Sequence, residues 1–529
     1  MLFAFKLFTY SFLKRQQNTQ TMSSFSQGGS RSNNKRAHNS GGSAHDSTSL
    51  ERRKHLRNSN SQQMTLNSFF KGKNSTSTSK ETDAEGTSSS TVQWSDIDGT
   101  WIGTFRNPEA SDKFAAFDLD KTLVDVRGTH KFPKGADDWQ FFHPGVPKFV
   151  QRAHAQGYKI VILSNQLGLK QAKGKSELAK GKSELTKGAR DYRLKIQNIA
   201  LQLDTPFMLL AATTKSYMRK PSPGMWFMAE HNNDAVEVNR RASFFVGDAA
   251  GRPMGSGSRG LADFSDSDLV FARNAGVPFY TPEGVFTDEI CAMEQPLPLY
   301  QAQSWAIRRF HPSSLADGNK PALDALLAQL RAEVEDAQTS GSGRGLLVVL
   351  VGPPASGKST FTQRYLEPLG FERVNMDLLK TRKKCVDAVT KILDAKGFAA
   401  LDNTNPDAKS RAAYLKLAER AGAGTRAVAV VFGGGDGDGD GDSIREVVAH
   451  NNAFRAQVDQ ARWFSRGRRG DSVVRLPLLG ESVPAVAVNI FFKKFVMPVE
   501  AEGFAKVLGC PFVPFFESAD DEVLWNQYY

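Results

Sequence analysis

FAAFDLDKTL, residues 114–123, decides the fold of the first half of this chain. An apolar run, Phe114-Ala115-Ala116-Phe117, ends in two aspartates one residue apart, Asp118 and Asp120, with Thr122 two further on. The run predicts a buried parallel strand that delivers carboxylates at its C-terminal end, where α/β sheets place their ligands. Two carboxylates and a hydroxyl there suit phosphoryl chemistry. One carboxylate attacks, its neighbour handles the proton, and both help to hold a Mg²⁺. Alone, the pattern fits a solvated acidic turn as well.

The next strands repeat the arrangement. In His143–Gln166 the spacing of Val146, Phe149, Val150 and Ala153 is helical, Gly157 ends the helix, and Lys159–Leu163 is a strand that ends in Ser164-Asn165. The strand Phe207–Ala212 precedes Arg219-Lys220-Pro221, and the strand Ser243–Val246 runs into Gly247-Asp248. Asp118/Asp120, Ser164, Lys220 and Asp248 thus recur in order at successive strand ends. Together they resemble the haloacid-dehalogenase phosphatase superfamily. ILSNQLGL, RKPSPGMW (219–226), FVGDAAGRP (245–253) and DFSDSDLVFARNAGVPFYTPEGVF (263–286) resemble, more narrowly, the 3′-phosphatase half of the polynucleotide kinase 3′-phosphatases, over roughly residues 112–290.

That resemblance implies roles. Asp118 is the expected nucleophile, forming an aspartyl-phosphate, and Asp120 the general acid and then the base that activates water. Thr122 and Ser164 would hold phosphate oxygens, and Lys220 would neutralise charge. Asp118 and Asp248 would bind Mg²⁺, with a ligand from Asp120 through its backbone carbonyl, and Asp263 and Asp268 would support them. The division of labour needs Asp118 ionised and Asp120 protonated, which a metal contact at the first and a less solvated place for the second would give. Two departures from the family stand out. Lys121 lies where many relatives have Gly, and AKGKSEL is written twice (172–178 and 179–185), a basic excursion best read as a surface insertion.

The second half turns on Leu346–Val351, LLVVLV, a buried strand that runs into Gly352-Pro353-Pro354-Ala355-Ser356-Gly357-Lys358-Ser359-Thr360. This is GxxxxGK[ST] between a strand and a helix. Backbone N–H groups cradle nucleotide phosphates, Lys358 reaches the outer oxygens, and Ser359 binds Mg²⁺. Asp377, just after a second strand, is placed to take the proton of an attacking hydroxyl. Asp402-Asn403-Thr404-Asn405-Pro406 and His450-Asn451-Asn452-Ala453-Phe454-Arg455 resemble the 5′-kinase half of the same family, and FFKKF (491–495) and AEGFAKVL (501–508) extend the match to about residue 515. The resemblance makes Arg455 a lid arginine on the transferring phosphate, Asp402 a carboxylate either linked to Mg²⁺ or supporting its ligands, Asn403 and Asn405 shapers of the acceptor site, and ATP the donor. GGGDGDGDGD (433–442) departs from the family and reads as a flexible acidic loop, without the spacing of a calcium site.

Residues 1–91 are rich in Ser, Asn, Gln, Thr and Gly and read as a disordered tail. Its opening MLFAFKLFTYSFLKRQ has the character of a mitochondrial presequence, or else marks an upstream start with Met22 as the usual one. Lys35-Arg36 and Arg52-Arg53-Lys54 have the layout of a bipartite nuclear-import signal, or form a solvated basic tail. Gln63, Leu66, Phe69 and Phe70 resemble the sliding-clamp (PCNA) interaction box, with three apolar anchors on one helical turn, against chance in low-complexity sequence. No forkhead-associated module is seen ahead of residue 92.

The chain has 529 residues and a net charge of +12, which suits polyanionic partners. Its three dispersed cysteines indicate neither zinc nor disulfides, and no apolar run approaches the roughly 20 residues that span a bilayer. The expected architecture is α/β, with two doubly wound parallel-sheet domains: a phosphatase over 92–290, a connecting segment over 291–340 and a P-loop kinase over 341–529. The expected protein is a monomeric enzyme acting on 3′-phosphate and 5′-hydroxyl DNA ends, in the nucleus and also the mitochondrion. The rivals are a chain with only one live domain, a clamp-tethered adaptor, and a small-molecule kinase fused to a metabolite phosphatase.

Overall fold

The computed structural model describes residues 90–529 except 131–132, 170–184, 258–259, 294–306, 308–309, 311–318, 340–343, 423, 434–440, 467–475, 478 and 517. The presequence-like opening, the basic clusters, the clamp-box residues and most of the repeat insert and of the acidic loop lie outside the described residues.

The first domain opens with an antiparallel hairpin, β1 (Gln93–Ile97) and β2 (Thr100–Phe105). Its two-residue turn has positive φ at both Asp98 (48°) and Gly99 (84°), the backbone that suits the twist of a tight hairpin. Next come β3 (Phe114–Phe117), the small ribbon β4 (Val124–Asp125) and β5 (Gln140–Phe141), α1 (Val146–Ala155), β6 (Lys159–Asn165), α2 (Lys187–Leu203), β7 (Phe207–Ala212), α3 (Gly224–His231), β8 (Phe244–Val246), α4 (Ser267–Ala275) and β9 (Phe279–Tyr280). Among the described residues these strands form a seven-stranded sheet in the order β1-β2-β7-β6-β3-β8-β9.

From β7 to β9 the sheet is parallel, so β3 lies at its centre between β6 and β8. Alternate residues of β3 enter opposite cores: Ala115 and Phe117 pack on one face, Phe114 and Ala116 on the other. That explains a continuous apolar run rather than an alternating one. The hairpin extends the parallel sheet on the β7 side with antiparallel pairing, an edge that the β/α periodicity did not announce.

In the second domain α5 (Lys320–Thr339) precedes β10 (Leu346–Val351), α6 (Lys358–Phe361), β11 (Phe371–Val374), α7 (Arg382–Asp394), β12 (Phe398–Leu401), α8 (Ala408–Arg420), β13 (Arg426–Phe432), α9 (Gly441–Arg466), α10 (Ala485–Lys494), β14 (Lys506–Cys510) and α11 (Ala519–Trp525). The described strands make a five-stranded, wholly parallel sheet, β11-β12-β10-β13-β14. The P-loop strand β10 is central, and its residues again alternate between two cores.

Two boundaries differ from expectation. Leu323, Leu326, Leu327, Leu330 and Val334 of α5 pack against β10 and β13, so this helix, placed by sequence in the connecting segment, belongs by packing to the kinase domain. At the other end, Ala461, Phe464, Leu476 and Leu524 share a core with Tyr217, Trp226 and Met228 of the phosphatase domain. No helix among the described residues is long and apolar enough to cross a membrane.

Candidate active sites

The first site forms where β3, β6 and β8 end together. Asp118 follows β3 directly, and its backbone N–H donates to the carbonyl of Val246 on β8 (2.8 Å). Lys220, in the segment after β7, is 3% exposed and puts Nζ at 2.5 Å from Asp118 Oδ1 and 2.7 Å from Asp268 Oδ1. Its backbone is clamped by Asn165, which accepts from Lys220 N (3.0 Å) and donates to Lys220 O (3.1 Å). Asp248 follows β8. Ligand oxygens of Asp118, Asp248 and Asp268 lie within 4.8 Å of one another.

The charge balance shows what the cluster is for. Burial pushes Asp118 up to about 7, with Asp268 adding repulsion and Lys220 opposing it. Burial, then Asp268 and Asp118, push Asp248 up to about 8. Burial alone would lower Lys220, but Asp118 and Asp268 outweigh it and its pKa rises. Three carboxylates with one ammonium leave surplus negative charge in a buried place, and a divalent cation relieves it. The donor set, all hard carboxylate oxygen, suits such a cation. Gly247 leaves the room: a Cβ there would come within 2.6 Å of Asp268 Oδ2.

Not every predicted residue points into this cluster. The Asp120 carboxylate instead accepts from Lys195 Nζ (2.6 Å) and Gln166 Nε2 (2.7 Å). Its side chain is 49% exposed against 10% for Asp118, so the solvation runs opposite to expectation: the nucleophile, not the acid, is the desolvated one. Ser164 is buried and its hydroxyl accepts from Gln166 (2.9 Å). Thr122 is fully buried and its hydroxyl has no hydrogen-bond partner among the described residues. Asp263 lies apart, accepting from Ala250 N, Arg252 N and Arg252 Nε. It ties Arg252 beneath the Asp248 loop, where Arg252 also donates to Asp248 O.

The second site is the loop between β10 and α6. Gly352 is the close approach, since a Cβ there would meet Phe432 at 2.7 Å. Gly357 caps α6 at φ 92°, where a side chain is strained. Lys358 folds back on the loop, donating to Gly352 O (3.0 Å) and Pro353 O (2.6 Å). Burial pulls its pKa down to about 8, with Asp402 and Asp377 opposing. Ser359 donates to Asp402 Oδ2 (2.8 Å), and Arg373 and Asn375 converge on the same oxygen. Asp402 at the end of β12 is therefore the carboxylate on the P-loop hydroxyl.

Asp377 is exposed, two residues past Asn375, which follows β11 directly and accepts from the Asp377 N–H (2.7 Å). Thr360, Arg455 and Lys358 line a cavity of about 350 Å³, together with Phe512, Phe515 and Trp525. Arg455 donates to Glu481 O (3.0 Å), and Asn451, one turn earlier on α9, donates to the P-loop carbonyl of Ala355 (3.0 Å).

Residues 113–286 match the family described as Polynucleotide kinase 3 phosphatase, and residues 347–432 match one described as AAA domain. A Schizosaccharomyces pombe protein, "Bifunctional polynucleotide phosphatase/kinase", is 30% identical over 83% of this chain and 88% of its own length. The chain belongs to the bifunctional polynucleotide phosphatase/kinase family. An Acanthamoeba polyphaga mimivirus protein, "Putative bifunctional polynucleotide phosphatase/kinase", is 27% identical over 82% of this chain and 94% of its own. "Polynucleotide 3'-phosphatase ZDP" of Arabidopsis thaliana is 34% identical over 33% of this chain and 24% of its own.

The AAA-domain match over the P-loop suits a nucleotide, and the Asp118–Asp248–Asp268 cluster could hold a metal ion. Sequence reading ranked Asp268 below Asp248 and did not include Lys195, Asn165 or Gln166. Asp268 had a signal, the run Asp263–Asp268, but which acid faces the cluster depends on where α4 starts. Lys195 carried none: it is one basic residue on an amphipathic helix, 75 residues from its partner.

Proposed function

We propose that this protein prepares broken DNA for ligation: it hydrolyses 3′-phosphate termini and transfers the γ-phosphate of ATP to 5′-hydroxyl termini. The observation that supports the reading is the occurrence in one chain of two side-chain clusters suited to phosphoryl transfer, Asp118–Lys220–Asp268 and Lys358–Ser359–Asp402.

In the phosphatase, Asp118 attacks phosphorus and becomes an aspartyl-phosphate while the sugar oxygen leaves. Asp120 protonates that oxygen, and then takes a proton from the water that cleaves the acyl phosphate. Lys220 neutralises Asp118 and the incoming phosphoryl group. Asp118, Asp248 and Asp268 would hold Mg²⁺, which supplies charge neutralisation at the phosphate. For Asp120 to act, its carboxylate must exchange Lys195 and Gln166 for substrate. In the kinase, Asp377 accepts the proton of the 5′-hydroxyl, Lys358 and Arg455 stabilise charge on the transferring group, and Ser359 with Asp402 would hold Mg²⁺.

The clamp box at Gln63, Leu66, Phe69 and Phe70 supports tethering to a sliding clamp, and the basic clusters support nuclear residence, with a mitochondrial share if the opening segment is a presequence. The test is a nicked duplex bearing 3′-phosphate and 5′-hydroxyl, incubated with labelled ATP and Mg²⁺. Asp118→Ala is expected to abolish dephosphorylation alone and Lys358→Ala 5′-labelling alone. Absence of either activity in the wild type overturns the bifunctional reading. A tail peptide with Phe69→Ala and Phe70→Ala that binds the clamp like wild type overturns the tether.

A further inference from the structure

The segment that carries Lys220 touches two things at once. On one side Asn165 pins its backbone and Lys220 enters the phosphatase cluster. On the other, its neighbours are bonded to α9, the helix that carries Arg455. Ser222 Oγ donates to Gln457 Oε1 (2.8 Å), and Tyr217 N donates to Gln460 Oε1 (3.1 Å). The Tyr217–Gln460 bond is buried, and Gln460 also donates to Pro477 O (2.9 Å). Around these bonds Phe464 packs on Tyr217 and Phe227, with ring centroids at 6.1 Å and 6.2 Å.

Gln457 is two residues beyond Arg455, and Gln460 five. Six residues before Gln457, Asn451 reaches the P-loop at Ala355 O. One rigid helix therefore has its N-terminal part against the P-loop and its C-terminal part bolted to the Lys220 segment. A second link runs the same way: Asn274 donates to Pro221 O (2.9 Å) and Tyr528 O (2.8 Å), while Trp525, on the same C-terminal segment, donates to Asn451 Oδ1 (3.0 Å).

We propose that Gln457 and Gln460 are positioning residues for the kinase: their bonds to the Lys220 segment of the phosphatase domain set the axial placement and rotation of α9, and so aim Arg455 at the transferring phosphate. The dependence runs one way. Lys220 has its own clamp in Asn165, whereas Arg455 is exposed and, among the described residues, its side chain is held by a hydrogen bond to Glu481 O, so its aim follows the helix. The inference rests on the kinase reading above and adds the source of its lid geometry.

The experiment uses the full chain. Wild type, Gln457→Ala, Gln460→Ala, Gln457→Glu and Arg455→Ala are assayed for ATP-dependent 5′-phosphorylation and for 3′-dephosphorylation, with thermal unfolding beside them. Each alanine variant should lower kinase kcat by roughly two- to tenfold, the loss of one hydrogen bond's worth of placement, with KM for ATP unchanged. Phosphatase parameters should stay within about twofold for both alanine variants. Gln457→Glu keeps the acceptor for Ser222 Oγ and should recover most of the rate. Wild-type kinase activity with unaltered kcat in both alanine variants overturns the proposal. So does a parallel fall in both activities together with the unfolding temperature, which marks general loosening. A wild type without kinase activity instead overturns the kinase reading itself.

Discussion

The carboxylates of Asp118, Asp248 and Asp268 cluster with the ammonium of Lys220, and that imbalance sets the chemistry at the residue scale. Asp118 and Asp248 sit at about 7 and about 8, well above 3.8. A carboxylate with a raised folded-state pKa contributes its stability below its unfolded value and loses it as pH rises through the folded one. Metal-free protein therefore loses stability from these groups between about pH 4 and 8, and Mg²⁺ should restore more as more protons leave. The expected result is a larger Mg²⁺-induced rise in unfolding temperature at pH 8 than at pH 6; an equal rise at both would exclude the cluster as the site. Gly247 is the steric counterpart. Because its Cβ would lie 2.6 Å from Asp268 Oδ2, Gly247→Ala should push that carboxylate off Lys220 and cut 3′-phosphatase kcat at least about tenfold, leaving 5′-kinase turnover unchanged. A phosphatase rate equal to wild type would show that Asp268 has room to move.

At the scale of elements, the strands and their terminal residues were legible because the sequence states them twice, as apolar runs and as the polar residue that ends each run. Asp118, Ser164, Asp248 and the P-loop fall where β3, β6, β8 and β10 end or just beyond, and Lys220 lies in the segment that follows β7. What was not legible depends on which helix face meets which loop. Lys195 reaches Asp120 from the middle of α2, and Arg411 enters from α8 with no motif around it. Arg411 is fully buried, pairs with Glu502 through Nη2 (2.6 Å) and Nε (2.8 Å), and donates to Asn405 O (3.1 Å) and Val496 O (3.0 Å). It therefore fixes the DNTNP turn, where Asn405 holds φ 44°, to the loop after α10. Arg411→Leu leaves a carboxylate and two carbonyls short of a donor, which should cost about 3–5 kcal/mol in chemical denaturation. A loss under about 1 kcal/mol would mean that water takes over the guanidinium's bonds.

At the scale of the molecule, sequence reading drew two domains and a joint, and the packing revises that. The periodicity of a segment reports that a face is buried, not against which partner. Phe464, Leu476 and Leu524 read as kinase residues, yet they complete the core over Tyr217, Trp226 and Met228 of the phosphatase domain. Bonds from Gln457, Gln460, Gln527 and Tyr528 cross the same boundary. An interface of this kind, apolar at its centre and hydrogen-bonded across it, couples the unfolding of the two halves. If the kinase half unfolded first, it would strip the cover from Trp226 and Tyr217, both fully buried, and leave an apolar face in water. The full chain should accordingly unfold in one calorimetric transition, with calorimetric and van't Hoff enthalpies equal. Because a ligand that binds only the native state stabilises the whole cooperative unit, an ATP analogue at the P-loop should move that entire transition upward. Two separated transitions, of which the nucleotide moves one, would show instead that the shared core is too weak to join the domains. The coupling of α9 to the Lys220 segment would then have to be sought in local placement alone.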